Sequence, residues 1–243
     1  TGVQTCALPI LPLIYRKSPF VVVSPSTKKE LASIGIAEKR ISLVYNGADG
    51  RDVLPIPEKG NYFLWLSRVH RYKGIWTALK AFRRFVEKNP GVRLKVAGDG
   101  PLLKKLPQVL KKWGIAHLVD LEGFVVKEKK QELLQNAIAL LQTSEKEGWG
   151  LTVIEAAECF TTTIASRVPG LMDSVKDGET GILFDNRDDS ACARAMELLF
   201  KDIELRKKLE LAAKKYSQEF SWDKAAIETE HLLEKIVNFS GSL

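Results

Sequence analysis

The chain has 243 residues, of which 45% are hydrophobic and 28% charged, as in a globular protein with room for one large or two small domains. No apolar run approaches the roughly 20 residues of a membrane-spanning helix. Three cysteines and three histidines without metal-ligand spacing argue against a disulfide framework or a zinc site. The few cysteines favour a reducing compartment, so we expect a cytoplasmic location, in solution or at the cytoplasmic face of the membrane.

The net charge of +7 comes from lysine pairs spread along the chain. This distribution is more typical of solvated helix faces than of a binding surface. Attraction to an anionic lipid or a polyanionic acceptor is the alternative, which would bring a peripheral membrane contact. A nucleic-acid partner is not expected, because no basic patch with interleaved aromatic residues accompanies the charge.

The predicted elements begin after residues 1–17, which fit nothing downstream and are expected to be a junction or non-native segment. Residues 20–23 predict a short strand, residues 27–33 a helix and residues 41–45 a second strand. Residues 50–60 are rich in proline and glycine and predict a connector.

Strand–helix alternation after the connector predicts a parallel, doubly wound, Rossmann-like α/β sheet. The predicted strands are residues 62–66, 93–97, 119–122, 138–143, 162–165 and 181–184. The predicted helices are residues 78–86 and 102–113 between strands, and 189–200, 203–220 and 222–237 as trailing helices.

Five loops follow these strands and are expected on one rim, because the carboxyl ends of parallel strands meet at the same edge of a sheet. They are residues 67–74, 98–101, 123–125, 144–152 and 168–173. Several of them hold glycines just before a predicted helix, an arrangement suited to binding phosphate.

The most informative loop carries Glu147 and Glu155, two carboxylates eight positions apart. Gly148 and Gly150 between them allow close backbone approach, and the start of the following helix favours a phosphate. Two acids beside such a site suit the neutral hydroxyls of a sugar and a ribose, so the segment predicts a nucleotide-sugar. Taken alone, Glu147 could cap a loop and Glu155 could be an ordinary helix acid.

A second loop carries Arg68 and Lys73, which suit a diphosphate because guanidinium binds as a fork and ammonium as a point charge. A basic surface loop is the alternative, and His70 is more often incidental than part of an anion site. The segment with Gly98 and Gly100 is interpreted mainly as a tight turn, and only secondarily as one side of a ligand site.

The ordered series of motifs resembles the retaining nucleotide-sugar glycosyltransferases of the GT-B class, in particular family 4, from about residue 20 to 237. The series comprises Asn46-Gly47-Ala48-Asp49, Ser67-Arg68 with Lys73-Gly74, Gly98-Asp99-Gly100-Pro101, Glu147-Gly148-Trp149-Gly150 with Glu155, Asp177-Gly178-Glu179-Thr180-Gly181, and Phe220-Ser221-Trp222. Two departures stand out. Residues 169–173 replace the family's Gly-Gly-x-Pro-Glu, and Trp149 replaces a commoner Phe.

The resemblance implies catalytic roles for Arg68 and Lys73 at the donor diphosphate and for Glu147 at the sugar hydroxyls. It implies that Glu155 binds the ribose diol. The other implied donor-binding residues are Ser67, Gly98, Gly100, Phe124, Val125, Gly148, Trp149, Gly150, Leu151 and Thr152. It implies no cofactor and no bound metal, because Arg, Lys and a helix dipole neutralise the diphosphate.

The resemblance also implies the organisation of the chain, as the C-terminal, donor-binding half of a GT-B fold. Residues 18–55 would end the N-terminal acceptor domain and form the linker, residues 56–220 would bind the nucleotide-sugar, and residues 221–243 would pack back toward the N-terminal domain. The acceptor would be a glycan, a lipid or a small molecule. Such a fragment is expected to be inactive alone. A nucleotide-sugar-binding module without catalysis and a GT-B-type nucleotide-sugar epimerase are the alternatives.

Overall fold

The computed structural model describes residues 14–48 and 58–240. The chain divides into two compact units, Thr1–Asp49 with Phe220–Leu243, and Gly50–Glu219. Most of the predicted junction and of the connector at residues 50–60 lies outside the described residues. The assignment of the units to acceptor-binding and donor-binding halves stays a prediction.

The first unit contains a two-stranded parallel sheet, β1 (Phe20–Val22) and β2 (Ile41–Leu43), with helix α1 (Pro25–Ser33) between them. The α1 start is capped by the Ser24 hydroxyl, which accepts a hydrogen bond from the backbone N–H of Thr27 at 3.1 Å. The C-terminal helix of the chain, at Trp222–Ser240, belongs to the same unit. The two segments of this unit meet at a bridge between Ala48 and Ser221.

The second unit is built on a six-stranded sheet in which every described pairing is parallel. Its strands are β3 (Tyr62–Leu66), β4 (Arg93–Ala97), β5 (Val119–Gly123), β6 (Leu140–Gln142), β7 (Thr163–Ser166) and β8 (Gly181–Phe184). Their order across the sheet is β5-β4-β3-β6-β7-β8. The predicted parallel, Rossmann-like α/β sheet is confirmed, although β6 is shorter than the predicted 138–143.

Both faces of this sheet are covered, which explains the unbroken apolar run of β3. Successive side chains of a strand face opposite sides. Accordingly Phe63 and Trp65 lie in one hydrophobic cluster, whereas Tyr62, Leu64 and Leu66 lie in another. The sheet therefore forms the middle layer of a helix–sheet–helix arrangement, as a doubly wound fold requires.

The helices of the second unit are α2 (Ile75–Val86), α3 (Leu106–Lys112), α4 (Lys127–Asn136), α5 (Leu151–Glu158), α6 (Leu171–Ser174), α7 (Asp189–Lys201) and α8 (Ile203–Ser217), followed in the first unit by α9 (Trp222–Ser240). They depart from the prediction in several places. Helix α2 begins three residues before the predicted start, and α8 ends three residues before the predicted end. Helix α3 is shorter than 102–113, because Leu103–Lys105 is a 3-10 turn. Helices α4 and α6 were not predicted. Only two α4 residues, Leu133 and Leu134, are buried, too few for a helical repeat.

A buried ionic cluster lies at the edge of the sheet opposite the five loops. The ammonium of Lys59 donates to the carbonyls of Gln135 (3.0 Å) and Phe160 (2.7 Å) and to the hydroxyl of Thr161 (2.8 Å). It stands 3.9 Å from Glu210, and both side chains are about 5% exposed or less. Burial lowers the pKa of Lys59 to about 8, against the attraction of Glu210.

This shift predicts a pH dependence of stability. An unfolded lysine keeps its proton up to about pH 10.5, so the unfolded state binds more protons than the folded state between pH 8 and 10.5. The contribution of Lys59 to the free energy of unfolding should therefore increase by about 1.4 kcal/mol from pH 7 to 9. Urea unfolding of the wild type and of Lys59→Met at both pH values measures it, and Lys59→Met should lack this rise.

Comparing the two proteins is necessary because buried thiols act in the opposite direction. Burial raises the pKa of Cys159 to about 11, so its contribution is present below pH 9 and is lost between pH 9 and 11. Both proteins keep Cys159, and its contribution is present up to pH 9, so the difference between them from pH 7 to 9 reports Lys59. A difference in unfolding free energy that stays constant from pH 7 to 9 would contradict the prediction.

Candidate functional site

The five predicted loops lie at the carboxyl ends of their strands and are in direct contact. The backbone N–H of Gly98 donates to the Gly123 carbonyl at 2.7 Å, and that of Glu145 to the Tyr72 carbonyl at 2.8 Å. A Cβ at Gly98, where φ is +130°, would overlap the Ser67 carbonyl oxygen, and one at Gly170 the Glu147 carbonyl oxygen. The predicted rim is confirmed, and close backbone approach at both glycines holds it together.

An ion pair between Lys73 and Glu147 lies at the centre of this rim. The Lys73 ammonium donates to Oε2 of Glu147 at 2.7 Å, and the two side chains are 12% and 16% exposed. The same oxygen accepts hydrogen bonds from the Ser144 hydroxyl at 3.1 Å and from the Gln142 amide at 3.3 Å. The structure thus brings a predicted diphosphate cation and a predicted sugar-binding carboxylate into contact.

Tyr72 connects the two predicted cations of the first loop. The exposed Arg68 guanidinium donates to the Tyr72 hydroxyl and lies 5.8 Å from the ring centre. The Lys73 ammonium lies 5.4 Å from the same ring centre. The positive charges are therefore gathered around one aromatic ring, and the ring of His70 lies 4.8 Å away, centre to centre.

The second predicted carboxylate also has a cationic partner. Glu155 lies on α5 and accepts a hydrogen bond from the Lys130 ammonium on α4 at 2.7 Å, and both side chains are partly buried. Helix α5 begins after Gly150, whose φ is +91°. Glu155 is therefore one turn inside the helix that opens at the rim, as predicted from its spacing.

The remaining predicted donor-binding residues differ in their access to solvent. Gly148 and Phe124 are exposed, with Phe124 80% exposed. Three others are half-buried, namely Ser67, Leu151 and Thr152. Val125 packs against the cluster of β3 and α4, and Trp149 is only 3% exposed. Gly100 stands next to Val69 in the turn after β4.

Sequence reasoning missed four residues that contact the predicted charged side chains: Tyr72, Lys130, Gln142 and Ser144. Gln142 and Ser144 carried a signal, because a polar run directly after the apolar strand residues 138–141 is unusual. Nothing in the sequence around Lys130 indicated a role at the site, because Lys130 is one of several lysines in the same helix. Its partner is set by the packing of α4 beside α5.

Within residues 14–48 and 58–240, no group of three or more His, Cys, Asp or Glu side chains could hold a metal ion. In the same part of the chain, no helix has both the length and the apolar character needed to cross a membrane. The prediction that donor binding needs no metal stays a prediction.

The sequence of the chain matches a known protein family. The family model described as "Glycosyl transferases group 1" matches residues 48–216. A D-inositol 3-phosphate glycosyltransferase of Corynebacterium diphtheriae is 28% identical over 211 residues, covering 84% of this chain and 48% of the relative. An uncharacterized glycosyltransferase of Methanocaldococcus jannaschii is 27% identical over 199 residues, covering 82% and 55% respectively. The chain thus spans about half the length of these relatives.

Two solved structures show that the fold is a known one. Sucrose-phosphate synthase from Thermosynechococcus elongatus superposes with a TM-score of 0.84 at 23% identity, over 96% of this chain and 62% of that one. Anabaena Alr3699/HepE, in complex with UDP and glucose, superposes with a TM-score of 0.81 at 18% identity, over 95% and 66%. At these identities the likeness concerns the fold.

Proposed function

Because the chain belongs to the glycosyl transferases group 1 family, we propose that it forms the donor-binding half of a retaining GT-B glycosyltransferase of family 4. The proposed reaction moves a sugar from a nucleoside-diphosphate-sugar to an acceptor hydroxyl, with the anomeric configuration kept. The observation that supports it best is the contact between Lys73 and Glu147 at the carboxyl edge of the sheet. A cation for the diphosphate and a carboxylate for the sugar hydroxyls must lie together at the bond that breaks.

In the proposed mechanism, Lys73 and Arg68 bind the diphosphate, and the start of α5 faces the phosphates with its positive dipole end. The bond between the anomeric carbon and the phosphate oxygen breaks, and the phosphate leaves with the electron pair. The acceptor oxygen forms the new bond to the same face of the anomeric carbon, and the proton of the acceptor hydroxyl passes to the leaving phosphate. The two cations stabilise this leaving group, and the carboxylate of Glu147 stabilises the positive charge that the sugar acquires. Glu155 binds the ribose diol one helical turn away.

The proposed enzyme uses a nucleotide-sugar as substrate and no metal, because the charges that bind the diphosphate come from the protein. Its acceptor is a glycan, a lipid or a small molecule, and the inositol phosphate relatives favour a small polyol among these. Its proposed location is the cytoplasm, in solution or at the membrane face. The free, buried Cys159 and Cys192 are compatible with a reducing compartment.

A ligand panel tests the proposal. Thermal unfolding is measured with UDP, GDP and ADP, with UDP-glucose, GDP-mannose and ADP-glucose, and with the free nucleosides, in the presence of EDTA. One nucleotide series is expected to stabilise the protein. At a hundred-fold excess over Kd the stabilisation is about 2.7 kcal/mol, roughly a 5–10 °C rise in Tm. Nucleosides should give little, and absence of any response to diphosphates would contradict the proposal.

The two alternatives give different products. A binding module would respond to the panel, but the protein carrying both halves of the fold would release no nucleoside diphosphate from the donor. A nucleotide-sugar epimerase would convert the sugar to its epimer while it stays attached, or release it as a free epimer. Chromatography of the sugar and nucleotide products after incubation with the donor separates the three.

A further inference from the structure

Three consecutive polar residues, Gln142, Thr143 and Ser144, are buried where β6 ends at the rim. Their exposed fractions are 2%, 1% and 0%. Buried polar side chains are costly unless they are hydrogen-bonded, and each of these three makes such a bond at the site. The run is therefore organised around the ion pair.

The run holds both partners of the ion pair from one strand end. Residues two apart in an extended chain face the same side, and both Gln142 and Ser144 donate to Oε2 of Glu147, at 3.3 and 3.1 Å. Thr143 between them donates to the carbonyl of Gly74, next to Lys73, at 2.8 Å. It also accepts a bond from the buried indole of Trp65 at 3.1 Å.

All described hydrogen bonds of the Glu147 carboxylate go to one oxygen. Lys73, Ser144 and Gln142 donate to Oε2, and none of the described hydrogen bonds uses Oε1. A carboxylate has about four acceptor positions on its two oxygens. The arrangement anchors one oxygen and leaves the other for a ligand hydroxyl.

We infer that Gln142 and Ser144 are positioning residues for donor sugar recognition. They hold the Glu147 carboxylate by Oε2, so that Oε1 meets a sugar hydroxyl while Lys73 turns to the diphosphate. This inference rests on the proposed function and adds two residues to it. A diphosphate competes with Glu147 for the Lys73 ammonium. If Lys73 alone held the Glu147 carboxylate, the carboxylate would move when the ammonium moved toward the diphosphate. Two neutral donors from a rigid strand end keep the carboxylate in place.

The test measures the sugar-dependent part of donor binding. Calorimetric titration gives the Kd of a nucleoside diphosphate and the Kd of its sugar conjugate. The pair is UDP with UDP-glucose, or another pair from the ligand panel if that pair stabilises the protein. The Kd ratio is the Kd of the bare diphosphate divided by the Kd of the conjugate. Gln142→Met and Ser144→Ala should each weaken the binding of the conjugate and so lower this ratio about ten-fold. The Kd of the bare diphosphate should change less than two-fold. Ser144→Ala is a small change and keeps the test valid if Gln142→Met does not fold.

Thr162→Val is the matched control. Thr162 is fully buried directly before β7 and donates to the Thr180 carbonyl at 3.0 Å, not to Glu147. Its replacement should lower Tm and leave the Kd ratio unchanged. A second arm repeats Gln142→Met in the Glu147→Gln background, where it should lower the Kd ratio no further.

The outcomes separate the inference from the proposed function. If the wild type binds the conjugate more tightly than the bare diphosphate but neither variant changes the ratio, the positioning role is wrong. The same holds if both ligands weaken equally, which a structural role would produce. If the wild type binds neither ligand, the proposed function itself fails.

Discussion

Lys73→Met is expected to weaken the binding of a nucleoside diphosphate by about a hundred-fold. Lys73 is 12% exposed and its ammonium is the cation held at the centre of the rim. Removing a charged donor from a partly buried contact costs up to about 3 kcal/mol, which corresponds to that factor. The free nucleoside should lose little, since it carries no phosphate. Calorimetric titration of both ligands measures the difference.

The control for this variant is Lys95→Met. Lys95 is also a partly buried lysine, 24% exposed, paired with Glu122 at 3.0 Å across β4 and β5. It lies within the sheet rather than on a rim loop, so its loss should lower Tm without changing either affinity. Equal weakening of diphosphate and nucleoside by Lys73→Met would indicate a folding defect and would contradict its role at the diphosphate.

Glu147→Gln and Glu155→Gln are expected to have different effects on the binding of the bare nucleotide. Glu155→Gln should weaken diphosphate and nucleotide-sugar alike by about ten-fold or more, because both ligands carry the ribose whose hydroxyls it binds. Glu147→Gln should weaken only the conjugate. The bare diphosphate should bind as well or better, because Lys73 loses the carboxylate that competes for it at 2.7 Å.

The same Glu147→Gln variant should lower turnover about a hundred- to a thousand-fold in the protein carrying both halves of the fold. This is the usual effect of removing one group that stabilises charge in the transition state. Release of nucleoside diphosphate from the donor measures it, with Glu122→Gln, the partner of Lys95, as the control. If Glu147→Gln weakened the bare nucleotide as much as the conjugate, Glu147 would be a loop-stabilising acid.

The sequence by itself determined the parallel sheet and the rim. Both follow from local rules, because an apolar run with helices on each side predicts a strand buried on both faces, and strands joined by helices run parallel. Their carboxyl ends must then share an edge. This is why the segments carrying Arg68, Lys73, Glu147 and Glu155 could be placed together from the sequence alone.

Only the tertiary structure decided which charges meet on that rim. Strand order places β6 beside β3, so Lys73 and Glu147, 74 residues apart, come into contact. Helix α4, whose sequence has almost no apolar repeat, brings Lys130 to Glu155. Side-chain pairing depends on contacts between segments distant in the chain, whereas periodicity reports only on neighbours along it. For the same reason the anchoring of Glu147 by Gln142 and Ser144 became visible only in the folded chain.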